Sequence, residues 1–189
     1  MNKIKIIIIS LLIGAISGYA LANPFVNPYA GLPFGIAVIL CLRIFFKHKT
    51  NIGESIGFVF LSTLACFLAV STYISLFQNK EHYIFGLLVS GFIGSLVLVF
   101  SYANILRIKF NLVHKLTLLG LGTLLSLTAL NKLFKFTMSS FSEGGGLVDV
   151  SEIGVFIFWQ SIMLASIMYI TATIKENKKL ETPLFVRKD

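Results

Sequence analysis

The sequence predicts an all-α, polytopic membrane bundle of about six transmembrane helices with both termini on the cytoplasmic side. The first observation behind this is a series of apolar stretches at 4–22, 30–46, 54–77, 82–106, 113–134 and 152–174. Five of the six reach about the twenty residues that the hydrocarbon core of a bilayer requires. The second is where the sixteen Lys and Arg residues fall between those stretches. Lys3, Lys5, Arg43, Lys47, Lys49, Arg107, Lys109, Lys115, Lys175, Lys178, Lys179, Arg187 and Lys188 share one side of an N-in arrangement, against Lys80, Lys132 and Lys135 on the other. Cationic loops resist translocation, so this asymmetry orients the chain.

Of 189 residues, 56% are hydrophobic and 13% charged, and the stretches consume nearly the whole length. That leaves 1–174 as one transmembrane helical domain and 175–189 as a short basic cytoplasmic tail. A net charge of +8 would point a soluble chain toward nucleic acid. Here it follows from topology, and nucleic acid is not an expected partner. The expected one is the anionic headgroup layer at the cytoplasmic face, where each nearby cation contributes roughly 1 kcal/mol. The location this implies is a cell membrane of the bacterial cytoplasmic type, crossed several times.

The first stretch opens with Lys3 and Lys5, continues as an apolar run and ends in Ala20-Leu21-Ala22, which imitates a cleavable signal peptide. Retention is the expectation, because Gly14, Gly18 and Ala22 form a small-xxx-small stripe that lets helix backbones approach closely. Asn23-Pro24-Phe25-Val26-Asn27-Pro28 then stops one helix and starts the next, as turn chemistry dictates. The third and sixth stretches open with Asn51-Ile52-Gly53-Glu54 and Asp149-Val150-Ser151-Glu152, both read as capping boxes. In the fourth, Gly86, Ser90 and Gly94 repeat the small-residue spacing, which makes it a second helix-packing surface.

Tyr19, Tyr73, Tyr102 and Tyr169 lie near stretch ends and suit interfacial aromatic belts. Trp159-Gln160-Ser161 is different. It lies well inside the sixth stretch, where an amide must find a partner because hydrocarbon offers none. With Ser126, Thr128 and Asn131 in the fifth stretch, it reads either as interhelical hydrogen bonding or as the wall of an outward-facing pocket. In the pocket reading Trp159 is the stacking surface and Gln160 the orienting hydrogen-bonder. The connection 137–152 carries Gly144-Gly145-Gly146 and serves as a hinge, or as a lid over such a pocket.

Catalytic chemistry finds no footing. Ionisable residues near mid-bilayer, the usual mark of ion or proton pathways, are missing from the stretches. His48, His82 and His114 are dispersed, without metal-ligand spacing. Cys41 and Cys66 differ in depth by roughly 10 Å at the helical rise, too far for a disulfide. No catalytic residue, metal or cofactor is expected.

The function expected is therefore a non-enzymatic multi-pass subunit, a scaffold or sensor that assembles with itself or within a membrane complex. The tail adds a possible cytosolic protein partner. Pro183-Leu184-Phe185-Val186 sets an apolar cluster, with Phe185 as anchor, between Lys178-Lys179 and Arg187-Lys188. Exposed apolar clusters of this kind dock on partners. The alternative is a small-molecule uptake or channel component using the pocket between the last two stretches. In outline alone, six spans in under two hundred residues, the chain is similar to the substrate-binding subunits of energy-coupling-factor vitamin transporters.

Overall fold

A computed structural model describes residues 2–20, 31–77, 83–127 and 153–181. Its described residues form six helices: α1 (Lys3–Ala20), α2 (Gly31–Phe46), α3 (Ile52–Phe77), α4 (Tyr83–Asn104), α5 (Leu112–Ser126) and α6 (Ile153–Glu181). The fold is all-helical, as the sequence predicts. Three segments, Ile52–Thr72, Ile84–Asn104 and Ile157–Glu176, are long and apolar enough to cross a membrane by length and composition. α2 and α5 are shorter apolar helices of 16 and 15 residues.

The helix boundaries follow local chemistry. Asn51 and Glu54 form the anticipated capping box: the Glu54 backbone N–H donates to Asn51 Oδ1 at 2.6 Å, and the Asn51 N–H donates to Glu54 Oε2 at 3.0 Å. Each bond satisfies a backbone donor that the first turn would otherwise orphan. α5 begins on Asn111, whose Oδ1 accepts from the His114 N–H at 2.8 Å. α2 stops at a residue in the left-handed region, Lys47 with φ 50°, whose N–H donates to the Arg43 carbonyl at 3.1 Å. Glycine is the usual occupant of that C-terminal position. α6 runs past residue 174 to Glu181. The residues there, Lys175-Glu176-Asn177-Lys178-Lys179-Leu180-Glu181, are mostly good helix formers, and Pro183 is the first strong breaker beyond them.

Sequence neighbours pack in turn, α2 on α3, α3 on α4 and α4 on α5, while α1 returns to lie along α6 in the most extensive pairing of the fold. Small residues set how close these pairs come. A methyl group built on Gly14 would stand 2.5 Å from Ser161 Cα and 2.8 Å from the Gln160 carbonyl oxygen. On α4, one built on Gly91 would stand 2.9 Å from the Gly122 carbonyl oxygen of α5. Gly18, Gly86, Ser90 and Gly94 are all buried, and Gly94 faces Ala69 of α3.

The interior centres on Val38, Leu42, Phe58, Leu98, Leu118 and Leu164. Tyr102 joins them, and this corrects the interfacial-belt expectation for that residue. It is wholly buried, its ring stacked on Phe110 at 5.1 Å, and its hydroxyl lies 2.8 Å from Thr171 Oγ1. A tyrosine near a helix end is spared the interface when the neighbouring helix offers a hydroxyl that satisfies its own. Tyr19 and Tyr169 are exposed. Large apolar side chains also cover the outside, among them Ile16, Ile44, Ile56, Phe60, Phe100 and Leu124, each more than 60% exposed.

Candidate functional site

The α1–α6 seam carries the polar residues singled out in the sixth stretch. Gln160 is buried, and its Oε1 accepts from Ser17 Oγ at 2.6 Å. Trp159 points to the opposite neighbour, where its indole Nε1–H donates to the Gly122 carbonyl of α5 at 2.9 Å and its ring tilts against Phe34 at 6.1 Å. The two adjacent side chains thus tie α6 to different helices. Ser161 bonds its own helix, donating to the Ile157 carbonyl at 2.6 Å. A carbonyl freed of an i+4 partner, or able to accept twice, serves as an internal acceptor where no water competes. Phe185, the tail cluster, Ala22 and the 137–152 connection lie outside the described residues.

A second, basic site forms at one end of the bundle. Contacts that gather there join Lys3 to Glu176, Glu54 to Arg107 and Lys175 to Phe46, so the α1 start, the α2–α3 and α4–α5 connections and the α6 end meet. Between them lies a cleft of about 160 Å³ lined by Leu42, Phe46, His48, Arg107, Ile108, Lys109, Thr171, Ile174 and Lys175. Its floor is apolar and its rim is basic.

Three of the four rim groups are held by their surroundings. Lys175 Nζ donates to the Phe46 carbonyl at 2.7 Å and sits 5.3 Å from the centre of the Phe46 ring. The carbonyl is at the α2 C-terminus, where a cation meets favourable partial charge. His48 Nε2 lies 3.2 Å from the Leu106 carbonyl; a carbonyl only accepts, so that nitrogen carries the hydrogen. Arg107 Nε pairs with Glu54 Oε1 at 3.3 Å, and Glu54 is itself anchored by the Asn51 N–H through its other oxygen. Lys109 is exposed and has no hydrogen bond or ion pair among the described residues. Beside the cleft, the hydrogen bond to Glu176 holds the Lys3 ammonium above its ordinary pKa, against a desolvation that lowers it. The protonated form is the one favoured, so the contribution of this tie is fully present below the normal lysine pKa and is lost as pH rises through the raised one.

One lining residue, Arg107, and Lys47, which is next in sequence to the lining Phe46 and His48 without lining the cleft itself, adopt a conformation that suits neither. Lys47 precedes His48 with φ 50°, and Arg107 has φ 54°. For side chains with a Cβ this left-handed region costs roughly 1–2 kcal/mol, and such residues concentrate at ligand clamps and switch regions.

Lysine ammonium and arginine guanidinium groups donate and cannot accept, so a rim built of them and His48 is suited to oxyanions rather than cations. Among the described residues, no three His, Cys, Asp or Glu side chains stand together as a metal would need, and both cysteines are free. In the sequence Arg107, Lys109 and Lys175 stand out only as topology charges and His48 only as one of three dispersed histidines. Their signal was their placement at the ends of three apolar stretches, but nothing in the spacing tells that they share one cleft. No family model matches this sequence, and no curated protein or solved structure matches it either.

Proposed function

We propose that the chain is a non-enzymatic multi-pass membrane subunit, a scaffold or sensor, with six spans and both ends on the cytoplasmic side. The observation that supports this best is the inverted distribution of polarity. Serine, threonine and glutamine side chains, among them Ser17, Ser62, Ser95, Gln160 and Thr171, are buried and bonded within the bundle, while leucine, isoleucine and phenylalanine cover the outside. In water such an exterior would aggregate; in lipid it is the ordinary surface. The joining of Lys3, Glu54, Arg107 and Lys175 at one end agrees with the charge asymmetry that places this end in the cytoplasm.

In this reading the basic end rests against anionic headgroups, and the tail beyond α6, with Phe185, recruits a second copy or a cytosolic protein. Ligand uptake between the last two spans is the competing reading, in which Trp159 and Gln160 face a bound molecule. The observed partners, Gly122 and Ser17, favour the subunit reading, since both side chains then serve cohesion. Carbonate extraction of membranes tests insertion: a protein released into the supernatant rejects the membrane subunit. Purification in a mild detergent then separates the two functions, because a co-purifying protein supports the subunit and a co-purifying small molecule supports uptake.

A further inference from the structure

We propose that the cleft at the basic end is a binding site for a phosphate group, presented by an anionic phospholipid or by a soluble phosphorylated molecule. This deepens the membrane-subunit reading and rests on it where the phosphate belongs to a lipid. The positive-inside tendency explains why basic residues occur in these connections, but it operates on loop charge alone. It does not require that His48, Arg107, Lys109 and Lys175, from three separate segments, line one cleft. Bringing like charges together costs energy that an oxyanion between them would recover as charge-assisted hydrogen bonds.

Three further features fit a phosphate. The volume, about 160 Å³, admits a phosphate group with its first ester carbons and little more. The floor of Leu42, Ile108 and Ile174 is apolar, which lowers the local dielectric and strengthens each cationic contact. The nearby carboxylates among the described residues are already engaged, Glu54 with Arg107 and Glu176 with Lys3, which leaves the exposed Lys109 without an internal counter-ion. The left-handed Arg107 adds an independent sign. A glycine would take that backbone without strain, whereas arginine presents its guanidinium there at a conformational cost. Basic pockets between membrane helices on the cytoplasmic side are where phosphorylated headgroups bind.

The test uses the full-length protein in a neutral detergent, with melting temperature and binding read under two additions at matched ionic strength: inorganic phosphate, and phosphatidylglycerol against phosphatidylcholine. The wild type is stabilised by one or both of the anionic additions and not by phosphatidylcholine. Stabilisation by phosphate identifies a site for soluble phosphorylated molecules; stabilisation by phosphatidylglycerol alone identifies a headgroup site. Arg107→Gly keeps or raises the unliganded melting temperature, since the backbone strain is relieved, yet weakens binding about fivefold, the equivalent of roughly 1 kcal/mol for one cation. Lys109→Gln, at an exposed position, weakens binding similarly without touching the fold. Lys49→Gln, a cation at the same end but outside the cleft, leaves binding unchanged. The cleft is rejected if neither anionic addition stabilises the wild type, or if Lys49→Gln loses as much as Arg107→Gly and Lys109→Gln. The second result would mean diffuse attraction to a basic surface and would leave the membrane-subunit reading standing; release in carbonate extraction would overturn that reading independently.

Discussion

At the residue scale, two glycines that look alike in the sequence have opposite consequences. Gly14 faces the α6 backbone, so an added methyl group would press on Ser161 Cα and the Gln160 carbonyl. Gly120 has nothing within 4 Å of the corresponding position. Gly14→Ala is expected to lower the melting temperature in detergent, an overpacking cost of about 1–3 kcal/mol. Gly120→Ala is expected to leave it unchanged or raise it, because alanine in a helix interior is favoured by roughly 0.5–1 kcal/mol. Equal effects of the two would refute the close approach of α1 and α6. Gln160→Leu separates cohesion from ligand binding. Ser17 Oγ also lies 2.9 Å from the Gly14 carbonyl, so the hydroxyl retains a partner when the amide is removed. Only a modest loss, about 1 kcal/mol, is expected in stability. If a co-purifying small molecule disappears from this variant while the fold persists, Gln160 contacts the ligand and the uptake reading gains.

At the element scale, the ends of the helices are fixed by side chains that sit outside the apolar stretches. The Asn51 side chain caps α3, and its backbone N–H receives the Glu54 carboxylate in return. Asn51→Ala should therefore destabilise the protein by about 1 kcal/mol, measured as a lower melting temperature. Loss of the Glu54 position should also loosen the Arg107 pair. α4 and α6 are joined at the same end by Tyr102 and Thr171. Tyr102→Phe removes the hydroxyl but keeps the stack on Phe110, so a loss near 1 kcal/mol is expected, far below what a truncation to alanine would cost. A Tyr102→Phe variant as unstable as Tyr102→Ala would show that the ring, and not the hydroxyl bond, had been displaced.

At the scale of the whole molecule, topology and the tail remain the decisive questions for function. Ser142→Cys should react with an impermeant reagent in intact cells and Thr182→Cys should not; the reverse pattern would overturn the N-in, C-in arrangement. Deleting residues 180–189 removes only the last two residues of α6 and the sequence beyond it. The bundle should remain inserted with its melting temperature unchanged, while recovery of a protein partner falls. Phe185→Ala should reduce recovery at every salt concentration, because an apolar anchor is not screened. Identical recovery from full-length, truncated and Phe185→Ala proteins would remove the docking role of the tail.

The sequence by itself determined the all-helical class, the approximate bounds of α2, α3 and α4 and the Asn51 cap of α3, because hydropathy, Gly and Pro punctuation and capping chemistry act over a few residues. It also identified Gly14, Gly18, Gly86, Ser90 and Gly94 as small positions, and all five are buried. Which neighbour each one meets belonged to the tertiary structure. Gly91 and Gly122, at the α4–α5 contact, escaped the spacing rule because a close approach needs only one small residue opposite a backbone and no repeat along its own helix. Tyr102 read as interfacial from its position, yet it is interior because Thr171 lies 69 residues away in sequence and beside it in space. Gln160 announced a need for a hydrogen bond but not that Ser17 of α1 would meet it. The basic cleft is the strongest instance. Its charges were countable from the sequence, whereas their convergence depends on the α2–α3 and α4–α5 connections meeting α6 at one end, contacts that local patterns do not encode.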